Sequence, residues 1–130
     1  MSDYILAFDF GLKRIGVAVG QRITRTATPK AILKASDGAP DWAEVKRLID
    51  EWQPAEIIVG KPINMDGTEF DMTQKAPRFA NRLNGRFRLP VTMVDERLSS
   101  IEARERDPSS EHIDDVAAGI ILETYLNESS

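Results

Sequence analysis

Three acidic positions in the sequence stand where a carboxylate needs an explanation. Asp9 ends an apolar run near the start of the chain, and Glu96 ends a later one. Asp114 or Asp115 opens the most apolar of the helical segments. Taken singly, each acid has an ordinary role at a turn, in an ion pair or as a helix N-cap. Together they would converge at one end of a sheet if the strands that carry Asp9 and Glu96 lie near each other.

Carboxylates held close together repel one another, and a divalent cation is the usual means of neutralising them. Oxygen ligands suit Mg²⁺ or Mn²⁺, whereas the sequence has no cysteine and only one histidine, His112, for a softer metal. Two such ions, about 3.5–4 Å apart, activate water and stabilise the leaving oxygen of a phosphodiester. The acids therefore predict a two-metal site for phosphodiester hydrolysis.

The elements that must position these acids follow from the hydrophobic pattern. It predicts buried strands at residues 4–10 and 15–20, joined by the tight turn GLKR, and a third strand in ITRTATPKAIL. Two helices then alternate with the short apolar strands EIIVG and VTMVDE, and a last helix covers IDDVAAGIILETYL. This order predicts an α/β fold with a mixed five-stranded sheet flanked by helices.

The two middle helices have recognisable ends. Asp41 is a suitable N-cap for the first helix, and Pro54 is expected to end it. The second helix is predicted over residues 72–86. Because proline inside a helix removes a hydrogen bond, Pro77 is expected in the first turn of this helix.

Residues 73–94 contain five cations and no acid, although the whole chain has a formal net charge of −4. Lys75, Arg78, Arg82 and Arg86 fall on one arc of the predicted helix. The arc has two interpretations that the sequence does not separate. It contacts the backbone phosphates of a nucleic acid, chiefly through Arg78 and Arg82, or it is the solvated face of a surface helix.

The composition is that of a soluble globular domain, with 42% hydrophobic and 29% charged residues among 130. No run of about 18 apolar residues is present, and the N-terminus lacks the basic segment of a signal peptide, so no membrane partner is expected. The absence of cysteine fits a reducing cytoplasm. We therefore expect one cytoplasmic domain over residues 1–130, with a frayed tail at 127–130.

Four segments carry a specific resemblance: FDFGLKRIGVAVG, IIVGKPINMDGTE, VDERLSSIEAR and IDDVAAGIILETYL. In this order they resemble the signature blocks of the YqgF family, also called the RuvX or Holliday-junction-resolvase-like family and described as pre-16S rRNA nucleases. The resemblance runs over nearly the whole chain. It implies a ribonuclease H-like fold and a cytoplasmic nuclease that depends on a divalent metal, Mg²⁺ or Mn²⁺.

The resemblance also implies roles for individual residues. Its acidic triad falls on Asp9, Glu96 and Asp114, which would be both the catalytic residues and the metal ligands, with Asp9 bridging two ions. Other residues of the same blocks are expected to contact the scissile phosphate, pair with the triad or border the substrate: Lys13, Arg14, Arg97 and Asn64.

Three functions remain open from the sequence, and all have nucleic acid as the partner. The first is 5′-end processing of pre-16S rRNA in ribosome biogenesis, with association to the ribosome. The second is cleavage of four-way DNA junctions by a structure-selective resolvase. The third is a catalytically weak binding or regulatory module, favoured by the net negative charge and the acidic segment ERDPSSEH at 105–112. The expected oligomeric state is a monomer or a weak homodimer.

Overall fold

The computed structural model describes residues 3–61, 70–95 and 113–128 of the chain. For residues 61, 70–74, 95, 113–117 and 127–128 it describes the backbone alone. The strands and helices along these residues are β1 Tyr4–Asp9, β2 Arg14–Gln21, β3 Thr26–Ser36, β4 Ala39–Pro40, α1 Trp42–Trp52, β5 Glu56–Lys61, α2 Phe70–Phe87, β6 Val91–Asp95 and α3 Ile113–Glu128.

The strands of the described residues form one mixed sheet in the order β4-β3-β2-β1-β5-β6. β1, β2 and β3 form an antiparallel meander, and β5 and β6 run parallel to β1. The mixed sheet flanked by helices is confirmed, but the prediction of five strands is wrong by one. The sixth is β4, which has two residues and pairs with the end of β3. A strand this short has no alternation of apolar and polar residues that a sequence pattern could reveal.

Both faces of the sheet are buried, and the side chains of β1 alternate between them. Leu6 and Phe8 lie in a core shared with α1 and α2, whereas Ile5 and Ala7 lie in a core shared with α3. All four side chains are 0% exposed. β1 is therefore continuously apolar up to its last residue, as a central strand buried on both faces must be.

Helix α3 covers one face of the sheet and is buried nearly all round where its side chains are described, as its sequence predicts. Residues 118–122 are all buried, and Leu122 has no exposed surface. A helix that is apolar on every side lies either in a protein core or in a bilayer. Within the described residues, no helix is both long enough and apolar enough to cross a membrane.

Helix α1 begins and ends where its sequence predicts. Asp41 is the N-cap, and its Oδ1 accepts a hydrogen bond of 3.0 Å from the backbone N–H of Ala43. The helix ends at Trp52, after which Gln53 adopts the left-handed conformation with φ of 45° and Pro54 follows. The capping contacts satisfy backbone groups that a helix end otherwise leaves unpaired.

Helix α2 begins earlier than its sequence predicts. It spans Phe70–Phe87, so Pro77 lies in its interior and not in its first turn. A proline at such a position removes a backbone hydrogen bond and costs about 3 kcal/mol. Packing on both sides of the proline offsets this cost, because Ala76 before it is 0% exposed and Phe79 and Leu83 after it are 2% and 0% exposed. Burial of the Phe79 and Leu83 side chains stabilises the fold by about 1.5–3 kcal/mol each.

Candidate active site

Asp9 is the acid of the predicted triad whose side chain the structure describes. It ends β1, is 7% exposed, and pairs in register with Gly16 on β2 and Gly60 on β5. The alternation along β1 puts its side chain on the face of Ile5 and Ala7, which is the face that α3 covers. A carboxylate buried so deeply is costly unless partners compensate its charge, and Asp9 does have an interaction partner within the fold.

The turn after β1 brings two cations to the same edge of the sheet. This turn requires glycine at position 11, because a Cβ on Gly11 would lie 2.3 Å from the carbonyl oxygen of Arg14. Lys13 is exposed in the turn, and its carbonyl oxygen accepts a hydrogen bond of 2.8 Å from the backbone N–H of Ala35. Arg14 begins β2 with an exposed side chain that also has a partner within the fold. Both cations therefore lie beside the strand end that carries Asp9.

The strand that precedes the second acid ends at the same edge. Asp9, Gly60 and Val94 form one row across the parallel strands β1, β5 and β6. β6 ends one residue later, at Asp95. Since neighbouring strands lie about 4.8 Å apart, the row from β1 to β6 is about 10 Å long. Glu96 follows Asp95 in the sequence and lies outside the described residues.

Helix α3 runs antiparallel to β1, so its first turn lies toward the end of β1 that carries Asp9. A Cβ placed on Gly119 would lie 3.5 Å from the ring of Pro29, which is aligned through β2 with Ala7. Leu122, almost one turn later, lies against the β2 residue that pairs with Ile5. Moving along α3 therefore moves backward along β1.

The direction of α3 also gives the position of its first turn, which carries the third acid of the predicted triad, along the length of β1. Asp9 lies two residues beyond Ala7, which is about 7 Å farther along the strand. At about 1.5 Å per helical residue, this distance corresponds to four or five residues before Gly119. The first turn of α3, whose backbone includes Asp114 and Asp115, is therefore level with Asp9.

A divalent ion fits the donor chemistry of this edge, because a buried carboxylate oxygen such as that of Asp9 is the ligand type that Mg²⁺ prefers. Among the side chains that the structure describes, no three His, Cys, Asp or Glu residues are close enough to hold an ion. The side chains of Glu96 and Asp114 lie outside that set, as do the predicted substrate contacts Asn64 and Arg97. The complete ligand set therefore stays a prediction.

Two of the four cations on α2 are used within the fold. Lys75 forms an ion pair with Asp37, and the guanidinium of Arg86 lies over the ring of Trp42, 4.4 Å from its centroid. The sequence reasoning missed both contacts. The ion pair joins residues 38 positions apart, and no local pattern marks such a contact.

The other two cations of α2, Arg78 and Arg82, are exposed and line a cleft of about 270 Å³ between α2 and the turn from β3 to β4. Neither forms an ion pair with any other residue that the structure describes. Phe10, which follows Asp9, packs against Phe79 of this cleft with ring centroids 5.4 Å apart. The cleft therefore lies at the same edge of the sheet as Asp9, but on the opposite face.

The fold is shared with solved structures of two Holliday junction resolvases. RuvC of Thermus thermophilus, solved in complex with a Holliday junction substrate, has a TM-score of 0.57 and 14% identity over 97% of this chain and 94% of that chain. The fowlpox virus Holliday junction resolvase has a TM-score of 0.56 and 18% identity over 97% and 98%. At such identities the likeness establishes the fold alone, and it confirms the ribonuclease H-like fold.

The chain belongs to the RuvX family, whose model is described as Holliday junction resolvase and matches residues 3–128. Relatives from Salmonella typhi and Salmonella agona (strain SL483) carry the name "Putative pre-16S rRNA nuclease". Each is 54% identical over 136 aligned positions, which cover 98% of this chain and 99% of the relative. The family assignment from the four sequence segments is thereby confirmed.

Proposed function

We propose that the protein is a divalent-metal-dependent endonuclease that hydrolyses phosphodiester bonds during 5′-end processing of pre-16S rRNA in the cytoplasm. The observation that carries this proposal is the carboxylate of Asp9, 7% exposed at the end of the central strand. Strands pair with β1 on both sides up to Asp9, so the backbone beneath this side chain is held rigidly, as a catalytic ligand requires. The names of the relatives at 54% identity support the choice of RNA.

Asp9, Glu96 and Asp114 are the proposed ligands of Mg²⁺ or Mn²⁺. Two facts support this set. β6 ends one residue before Glu96, at the edge where β1 ends with Asp9. The first turn of α3, which includes Asp114, is level with Asp9. When bound, two ions supply a nucleophilic water at neutral pH and stabilise the charge on the leaving oxygen.

The contribution of the remaining residues is to hold and orient the phosphodiester backbone. Lys13 and Arg14, in the turn beside Asp9, are proposed to bind the scissile phosphate, with Asn64 and Arg97 as further contacts. Arg78 and Arg82 are proposed to bind flanking phosphates from their cleft at the same edge. Side chains four residues apart on a helix are about 5–6 Å from each other at Cβ, so the two arginines can contact one strand without reading its sequence.

The test measures cleavage of a pre-16S rRNA 5′ leader and of a four-way DNA junction, each with Mg²⁺ and with Mn²⁺. We expect the wild-type protein to cleave the leader and Asp9→Asn to lose at least about 10²-fold in rate, the usual effect of removing one group that stabilises transition-state charge. Asp50→Asn is the matched control, since Asp50 is exposed on α1 and pairs with Lys46. Equal rates for Asp9→Asn and the wild type on every substrate would contradict the proposal.

Cleavage of a four-way DNA junction is the second candidate, because the matching family model is itself described as Holliday junction resolvase. Symmetric incision of a junction requires two active sites, so this function also requires a dimer. Faster metal-dependent cleavage of the junction than of the leader would establish it. Binding of both substrates without cleavage of either would indicate a catalytically weak binding module.

A further inference from the structure

A second cleft lies at the opposite end of β1 from Asp9, on the face of the sheet that α1 covers. Its volume is about 210 Å³. Six side chains that can contact a ligand line it: Tyr4, Gln21, Thr26, Thr28, Lys30 and Trp52. None of them belongs to the site proposed for catalysis, and β1 separates Tyr4 from Asp9 by about 17 Å.

An irregularity in the sheet turns Lys30 into this cleft. Val17 pairs with Ala31, but the next residue of β2, Ala18, pairs with Pro29. Lys30 is therefore the additional residue of a β-bulge, and it shares a face with Ala31 instead of alternating with it. Pro29 meets α3 on the other face of the sheet, whereas Lys30 reaches the ring of Trp52.

The contact between Lys30 and Trp52 is one that a ligand can replace. The Nζ atom of Lys30 lies 5.0 Å from the centroid of the Trp52 ring. Within the described part of the chain Lys30 forms no ion pair, whereas Lys46 and Lys75 do. Tyr4 packs against the indole with ring centroids 5.4 Å apart and an interplanar angle of 67°. The cleft thus combines a supported aromatic ring with a cation that no carboxylate of the described residues neutralises.

We propose that this cleft binds one nucleotide of a single-stranded nucleic acid. The base stacks on Trp52, and Lys30 moves from the ring to the phosphate of the same nucleotide. The hydroxyl groups of Thr26 and Thr28 and the amide of Gln21 supply hydrogen bonds at the rim. Stacking tolerates any sequence because every base has a π face, and it requires an unpaired strand because a duplex keeps its bases stacked on one another.

This inference rests on the proposed function and narrows the substrate to one with an unpaired segment beside the cleavage point. A separation of about 17 Å along β1 corresponds to at least about five nucleotides at about 3.4 Å per stacked nucleotide. An unpaired RNA leader can supply such a segment, whereas a fully paired junction arm cannot.

The test is a fluorescence-anisotropy titration in EDTA with an RNA of about 12 nucleotides, single-stranded or annealed to its complement. Trp52→Ala is expected to weaken single-strand binding about tenfold, and Trp52→Phe to restore most of it, because phenylalanine also stacks. Lys30→Ala is expected to reduce the slope of log K against log salt by about 0.7, the value for one phosphate on a single strand. Lys46→Ala, the control, removes an exposed lysine outside the cleft and should leave the slope unchanged.

Binding of the duplex should be the same for all four variants and the wild type. The inference is overturned if Trp52→Ala and Lys30→Ala bind the single strand like the wild type, or if they lose affinity equally for both RNAs. Its failure is distinguishable from failure of the proposed function. If the cleft variants bind RNA like the wild type and Asp9→Asn loses cleavage, the inference about the cleft is wrong and the nuclease proposal stands. If the cleft variants lose single-strand binding and Asp9→Asn cleaves like the wild type, the nuclease proposal is wrong and the inference about the cleft stands.

Discussion

Asp9→Asn replaces one carboxylate oxygen by an amide nitrogen and removes the negative charge at a position that is 7% exposed. It leaves the size of the side chain almost unchanged. If Asp9 holds Mg²⁺, the ion binds the folded state alone and raises the free energy of unfolding by RT ln(1 + [Mg²⁺]/Kd). At ten times Kd this gain is about 1.4 kcal/mol. For a domain of 130 residues the entropy of unfolding is about 0.27 kcal/mol/K, so the melting temperature rises by about 5 °C.

The assay is thermal unfolding of each protein with EDTA and then with increasing Mg²⁺. Comparing each variant with itself cancels any effect of the substitution on the metal-free fold. We expect the shift of about 5 °C in the wild type and in Asp50→Asn, and no shift in Asp9→Asn. Mn²⁺ should act in the same direction, since it takes the same oxygen ligands. An equal Mg²⁺-dependent shift in Asp9→Asn would refute the assignment of this carboxylate as a ligand, whatever the nuclease assays show.

Two further predictions concern α2. Arg78→Ala and Arg82→Ala should each lower the salt slope of binding to a B-form DNA duplex by about 0.9, measured in EDTA, because each is proposed to contact one phosphate. Arg86→Ala should leave the slope unchanged because Arg86 lies over Trp42, and an equal effect of all three would show that the cleft has no special role. Phe79→Ala should lower the free energy of unfolding in urea by about 3–5 kcal/mol, because Phe79 is 2% exposed, and a loss below about 1 kcal/mol would contradict its place in the core.

Features that local chemistry determines were predictable from the sequence. The N-cap at Asp41 and the end of α1 before Pro54 are both in the structure, because each depends on backbone groups within a few residues. The start of α2 was not predictable in the same way. Pro77 opposes a helix locally, whereas the burial of Phe79 and Leu83 against the sheet depends on residues far away in the sequence. Packing outweighed the local preference.

In the candidate site, too, some features follow from the local sequence and others depend on residues far away in the sequence. An acid that ends an apolar strand, such as Asp9, is visible in the sequence, and its position at a sheet edge follows from the strand alone. The bulge that turns Lys30 toward Trp52 is not visible, because it arises from the pairing of β3 with β2 and not from either strand by itself. For the same reason the sequence alone does not show that Trp52 lines a cleft.

The two acids that open α3 can be separated by helix geometry. Tyr125 donates a hydrogen bond of 3.2 Å to Glu56 at the start of β5, whereas Leu122 lies against β2. At about 100° per residue, Asp114 lies on the line of Tyr125 three turns earlier, and Asp115 lies on the line of Leu122 two turns earlier. Position 114 is therefore on the β5 side of the helix and position 115 on the β2 side.

This difference favours Asp114 over Asp115 as the proposed third ligand, because the proposed site lies between the ends of β1 and β6, with β5 in the middle of the row. Asp114→Asn should reduce cleavage by at least about 10²-fold and abolish the Mg²⁺-dependent thermal shift, as Asp9→Asn does. Asp115→Asn should keep the cleavage rate within a few-fold of the wild-type rate and should retain the Mg²⁺-dependent thermal shift. The two variants make the same chemical change at adjacent positions in the same helical turn, so each controls for the effect of lost charge near the helix N-terminus. The opposite ranking would mean that α3 presents its first turn to β2, and the ligand set would then need Asp115 in place of Asp114.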